Sequence, residues 1–461
     1  MRLQPSSCFR TLMASLLVVL SLAHSGDLQA SETRPLSKYA IEQFGHPPAV
    51  PDGPVTGELR AALQVAFIDT VTQQSWGESQ SVALLEISKS KDPRLVWIIA
   101  DLMRFTWQQY FDAELSNAAA ALLEVELKTS QHWGEITDYL IAWNIPAYPG
   151  YLDDKRAVFT NILPGLEKIF AEGDIDWRIV SWGGVLIDDR AYDATDDICN
   201  CIPAADNPAV TSADEATWLD DSDIVFGVHV NGEYRAYPRQ IMEVREMVND
   251  TLGGRHLGIP YCTLCGAAQA YFTDAMPDGA ERAVLRTSGL LSRSNKVMYD
   301  INTYSVFDTF LGKAVTGPLA EKGVVLQQAA VVTTDWGTWK KAHPETTVLV
   351  EALALGRDPD FRNTRDADGP IFPVGDVDPR LPVHEDVIGI VTASGTPVAF
   401  PRGKALLALR EGAEITYENV RLVLDAGGIR VEDADGSSLG SHEAFWFAWS
   451  QFHPDTALWG E

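Results

Sequence analysis

Basic side chains are in short supply: 36 Lys and Arg stand against 64 Asp and Glu, a formal charge of −28. A surface of that sign repels nucleic acid and anionic lipid, so neither is expected as a partner. The acids are spread along the chain, and no solid acidic tail collects them. The apolar run Leu12 to Leu22 falls well short of the ~20 residues that cross a bilayer as a helix. Cysteine is sparse, with five in 461 residues, and Cys8 lies before that apolar run and not at its end, which leaves a lipid-anchored N-terminus without support.

What is present at the start is a secretory signal over residues 1 to 30. Arg2 and Arg10 precede the apolar run, and small-residue sites follow at Ala23-His24-Ser25 and Leu28-Gln29-Ala30. That order of charge, apolar segment and small residues predicts export and cleavage. The mature protein is therefore expected to be periplasmic or secreted, with no membrane span. Four cysteines remain after cleavage, Cys199, Cys201, Cys262 and Cys265. An exported location permits their oxidation, and an even count suits disulfides or a metal.

A chain of this length predicts two or three domains. Over 36 to 175 apolar residues recur at helical spacing, as in Leu59, Leu63, Ala66 and Phe67, and strand-like alternation is scarce. Asp92-Pro93 predicts a helix start, because the carboxylate accepts a terminal amide while proline occupies the first turn. The following face carries Leu95, Ile98, Ile99, Leu102 and Phe105. Consecutive helices suggest a HEAT-like array, although no firm repeat period is visible. Trp97, Trp107, Trp133 and Trp143 are expected in the core, given the area each must bury.

From 176 to 461 the composition shifts toward glycine, valine and turn signals, which predicts a mainly β domain and an α+β fold class overall. This part is duplicated. Trp336-Gly337-Thr338-Trp339, followed by His343-Pro344 and Thr346, recurs as Trp446-Phe447-Ala448-Trp449, followed by His453-Pro454 and Thr456, at identical spacing. An earlier segment, Gly227 to Pro238, matches Gly389 to Pro401 with one extra residue before the turn glycine. Each copy predicts a hairpin, then a short helix entering a His-Pro turn, with repeat one at about 224 to 350 and repeat two at about 387 to 459. His343 and His453 occupy equivalent places and are assigned turn or cap roles. Between hairpin and tryptophan the first copy runs from Arg239 to Asp335, about twice the second copy's Arg402 to Phe445. If the repeat is scaffold, that extra material is where function belongs.

The extra material contains Tyr261-Cys262-Thr263-Leu264-Cys265-Gly266, placed after the alternating stretch His256 to Pro260. A Cys-x-x-Cys can close a disulfide, exchange one, chelate a soft metal or supply a nucleophile. Zinc wants about four ligands. Cys199, Cys201 and His256 are the additional donors on offer, and copper(I) enters because thiolates are soft. Redox exchange of the thioredoxin type expects a helix after the motif, whereas Ala267 to Phe272 suits a strand equally. Two further groups suggest a pocket: Glu246, Asn249 and Asp250 before Gly253-Gly254, and Ser288, Asn295 and Asp300 within a polar run that also reads as a strand pair ending in a turn. A hydrolase using Asp300 or Glu246 requires those carboxylates to converge in one cleft.

Gly227 to Pro238, Val248-Asn249-Asp250, the cysteine motif, Ser288-Gly289-Leu290-Leu291, Val297-Met298-Tyr299-Asp300 and the Trp-x-x-Trp-x-x-x-His-Pro element together resemble the bacterial domain-of-unknown-function 3179 (DUF3179) family. The resemblance covers roughly Asp197 to Leu458, with several motifs in one order. It implies a fold and a shared pocket, not a reaction. Arg245 stands where that family usually has histidine, Thr263 replaces a proline between the cysteines, and Phe307 to Thr309 replaces a tryptophan-containing, glutamine-ended stretch.

The sequence thus predicts an exported protein with a thiol-based metal-binding or redox role at Cys262 and Cys265, with zinc or copper as the metals that fit. The alternative is a non-enzymatic module in which disulfides brace a pocket for a small-molecule ligand or an envelope protein partner.

Overall fold

Short caps and apolar stripes set the helical half. In the computed structural model, which describes residues 36 to 106, 109 to 194, 199 to 277, 279 to 351 and 369 to 461, the longest helices of the N-terminal part are Glu78–Lys89, Asp112–Leu123, His132–Ala142 and Tyr151–Ile162. Residues 1 to 30, where a signal is expected, and Trp107 lie outside the described residues. Asp92 caps a single 3-10 turn, Pro93–Leu95, accepting the Arg94 N–H, and that turn leads into the helix Val96–Met103. Leu95, Ile98, Ile99 and Leu102 are buried as the spacing predicts. Trp97 and Trp143 are core residues whose indole N–H groups donate to the carbonyls of Ile145 and Gly45. The element order establishes a helical region followed by a mainly β region; it does not establish a HEAT-like stack. No helix of the described residues is long and apolar enough to cross a membrane.

The two halves share one core. Helical residues such as Phe105, Val158 and Phe159 pack in the same cluster as Val180, Leu290, Val297 and Tyr299 from strands. A buried ion pair ties them further. Lys155, fully buried, donates to Asp101 at 2.7 Å and to the Val180 carbonyl at 2.6 Å, while Tyr151 donates to Asp101 at 2.8 Å.

The duplication is visible strand by strand. In the first copy the hairpin Ile224–Val230/Glu233–Pro238 is flanked by the antiparallel strand Val331–Asp335 and the parallel strand Thr347–Val350. In the second, Asp386–Val391/Pro397–Pro401 is flanked in the same senses by His442–Phe445 and Ala457–Leu458. Trp339 and Trp449 each donate to a threonine, Thr346 and Thr456, at 2.9 and 2.8 Å. Each packs over a hairpin glycine so closely that a Cβ on Gly227 or Gly389 would stand 2.2 or 2.1 Å from ring carbon. His343 and His453 end the helices Trp336–Ala342 and Trp446–Phe452, each donating its backbone N–H to the carbonyl of Trp339 or Trp449. They hold the turn roles that their repetition predicts.

The insertions differ in outcome. In the second copy the insertion yields a three-stranded meander, Ile415–Tyr417, Val420–Asp425 and Gly428–Glu432. In the first it supplies most of two larger sheets, one containing Met247–Leu252 and Arg255–Cys262, the other containing Leu285–Ser292 and Asn295–Asp300. The first of these sheets carries the thiol pair, and a turn of the second meets it.

Candidate thiol site

The cysteine motif forms the tight end of a hairpin. The strand Arg255–Cys262 runs to Cys262, and Ala267–Ala268 returns beside it with Tyr261 opposite Ala268 and Cys262 opposite Ala267. Cys265 N–H donates to the Cys262 carbonyl at 3.2 Å, and Gly266 turns the chain at φ 61°. A strand therefore follows the motif, where a thioredoxin-type arrangement has a helix. A second turn meets this one. Arg293 and Ser294 connect Leu285–Ser292 to Asn295–Asp300, and both Cys262 Sγ and Cys265 Sγ lie 3.5 Å from the Ser294 carbonyl oxygen.

Both thiols are free and buried. Burial raises the Cys262 thiol, but the hydrogen bond from Cys265, the Lys296 backbone N–H and the Lys296 charge together outweigh it and hold Cys262 below its ordinary value. Cys265 is pushed well above its ordinary value by burial and by its bond to Cys262. The pair is thus asymmetric: the surroundings ease ionisation of Cys262 and oppose that of Cys265.

Cys262 lines a cavity of about 460 Å³. Its walls come from both halves of the chain, with Arg104, Gln131, Trp133 and Gly134 from the helical side, Thr263, Leu264, Leu290 and Lys296 from the sheets, and Ile371 to Pro373 from a connecting segment. Glu246 reaches the same cavity. It takes a left-handed backbone position at φ 51°, pairs with Lys296 at 2.8 Å and accepts from Thr263 at 3.3 Å. Asp138 fastens the connecting segment by accepting the Val374 and Gly375 N–H groups at 2.8 Å each. Burial pushes the Asp138 carboxyl up to about 6 despite those two bonds.

The other residues singled out in the sequence lie elsewhere. Cys199 and Cys201 are joined to each other in a disulfide, so they are not thiolates and a four-thiolate zinc site with Cys262 and Cys265 is not formed. His256 is six residues up the strand from Cys262, about 20 Å at ordinary strand rise, and contacts Thr251 and Arg282. Among the described residues no group of three or more His, Cys, Asp or Glu side chains is placed to hold a metal ion. Asn249 braces two sheets through Asp206 and Leu285. Asp250 is bound by Arg235 and Tyr237. Ser288 bonds across its own hairpin to Val297, and Asp300 caps the turn holding Thr303. Asn295 lines a separate cavity of about 280 Å³ with Phe307, Thr309 and Gln451. Glu246 and Asp300 therefore do not converge in one cleft.

Lys296 and Arg104 were not singled out by the sequence reading. Lys296 sat in the polar run without a spacing signal, and Arg104 is brought to the cavity only by the packing of helices against sheet. Trp133, expected in the core, is half-buried and lines the cavity with the Arg104 guanidinium 4.7 Å from its ring centre.

Comparison with known proteins matches no curated protein and no solved structure. A family described as "Protein of unknown function (DUF3179)" matches residues 199–437, which include the disulfide, the thiol pair and both copies of the hairpin. The match spans more than half of the chain, in agreement with the motifs set out above, and this protein belongs to the DUF3179 family.

Proposed function

We propose that this protein is an exported dithiol–disulfide exchange protein. Cys262 is the attacking sulfur and Cys265 the resolving one. The observation that carries this reading is the asymmetry of the pair at the wall of a cavity: Cys262, held below its ordinary pKa, lines the cavity, and the fully buried Cys265 stands behind it with its proton.

The chemistry balances without a further reagent. The Cys262 thiolate attacks one sulfur of a substrate disulfide, the S–S bond breaks, and the departing thiolate takes a proton from solvent. Cys265 then loses its proton and attacks the mixed disulfide, releasing the second substrate thiol and leaving Cys262 joined to Cys265. The substrate is reduced by two electrons and the protein is oxidised by two. In place of a helix terminus, the Lys296 backbone N–H and ammonium favour the thiolate. The Glu246 carboxylate opposes it, and its pairing with Lys296 moderates both effects.

Export rests on residues 1 to 30 and accords with a disulfide at Cys199–Cys201, since such bonds persist in oxidising compartments. The metal alternative narrows to a soft ion held by two sulfurs, copper(I), because zinc wants about four ligands. Thiol titration and metal analysis of protein purified from the periplasm separate these readings. Exchange predicts two thiols that a small disulfide oxidises to one bond with no metal bound; a stoichiometric metal, or thiols inert to every small disulfide in the folded protein, overturns it.

A further inference from the structure

Arg104 is the cavity cation that no carboxylate among the described residues neutralises. Its Nε donates to the Trp182 carbonyl at 2.6 Å, and its guanidinium carbon stands 4.7, 5.7 and 5.2 Å from the ring centres of Trp133, Trp182 and Phe372. Among the described residues it has no ion-pair partner. Lys296, the cavity's other cation, is already bound to Glu246. Burial pushes the Arg104 guanidinium below its ordinary value, which marks a charge short of solvent and of a counter-ion.

The rest of the lining is suited to an organic body. Trp133, Leu264, Leu290, Leu291, Ile371 and Phe372 give the cavity apolar walls, and Cys262 lies on the same surface. A few fixed polar groups in an apolar cavity set orientation, and a guanidinium presents a planar fork that matches a carboxylate. We infer that Arg104 makes this cavity selective for small disulfides bearing a carboxylate, with the carboxylate on the guanidinium and the sulfur pair presented to Cys262. The inference rests on the exchange reading above. The net charge of the protein opposes it, since a charge of −28 repels an anion at long range. Recognition must therefore be local.

The test is a single-turnover reaction of the reduced full-length protein with two aromatic disulfides, 5,5′-dithiobis(2-nitrobenzoate), which carries carboxylates, and 4,4′-dithiodipyridine, which does not. Each rate is normalised to that of a small free thiol with the same reagent. The wild type is expected to prefer the carboxylate reagent. In Arg104→Gln the preference falls about tenfold or more, the scale of a charge-assisted hydrogen bond, and Arg104→Lys keeps part of it. A wild type that favours the neutral reagent, or an Arg104→Gln preference equal to that of the wild type, overturns the inference. The wild-type comparison stands even where a variant fails to fold. Failure of the exchange reading looks different: Cys262→Ser then reacts with both reagents as fast as the wild type.

Discussion

Cys262 Sγ and Cys265 Sγ both lie 3.5 Å from a single atom, the Ser294 carbonyl oxygen. This arrangement follows from two hairpin turns meeting tip to tip, one from each of the sheets built by the first-copy insertion. It brings the Lys296 N–H, two residues beyond that carbonyl, to Cys262 but not to Cys265. The chemical difference between the two sulfurs arises there.

Alkylation should report that difference directly. In Cys265→Ala, Cys262 loses its hydrogen bond from the neighbouring thiol, so its apparent pKa rises relative to the wild type. Iodoacetamide rate against pH, with mass-spectrometric site assignment, measures it. Equal reactivity of both sulfurs in the wild type contradicts the assignment of roles.

The glycines under the repeated tryptophans should be intolerant of any side chain. Gly227→Ala and Gly389→Ala each place a methyl carbon 2.2 or 2.1 Å from the ring above. Overpacking of this kind costs about 1–3 kcal/mol. Urea unfolding should show losses of similar size at both sites, and a neutral result at either breaks the equivalence of the two copies.

Removing one partner of the buried ion pair should be worse than removing both. Lys155→Met leaves Asp101 buried without its cation, a loss of about 3–5 kcal/mol. Adding Asp101→Asn is expected to recover part of that loss. Thermal unfolding of the single and double variants decides it; an additive double variant means that the two charges are not coupled.

Asp138 gives a pH signature at the cavity wall. Its carboxyl is raised to about 6 in the folded protein, so the native state holds the proton more tightly than the unfolded chain. Wild-type stability therefore improves relative to Asp138→Asn as pH falls from above 6 toward 4, by at most about 3 kcal/mol. Above pH 7 the variant should equal or exceed the wild type, since an amide oxygen can still accept the Val374 and Gly375 N–H groups. Chemical unfolding at pH 8 and pH 5 compares the two. A difference that does not change with pH removes Asp138 as a titrating group.

The periodic features were legible in the residues themselves. Helical spacing over Leu59 to Phe67, the Asp92-Pro93 start and the alternation around His256 to Pro260 each record local geometry that the chain carries without knowing its partners. The duplication was legible too, because two copies of one packing problem keep the same tryptophans, histidines and turn glycines. Asn249, Asp250, Ser288 and Asp300 stood out as pocket candidates because polarity is visible in a sequence. Their partners, Asp206, Arg235, Val297 and Thr303, are chosen by strand pairing and turn geometry.

The sequence by itself determined that a helical region precedes a doubled β framework, and that the longer insertion holds the Cys262/Cys265 pair. The tertiary structure alone decided which polar groups reach those thiols. Cys199 and Cys201 bond to each other at a separation of two residues, whereas Arg104 arrives at the Cys262 cavity from far away in the chain. Local periodicity depends on neighbours a few residues apart, and a site depends on the docking of turns and helices that no short-range pattern encodes.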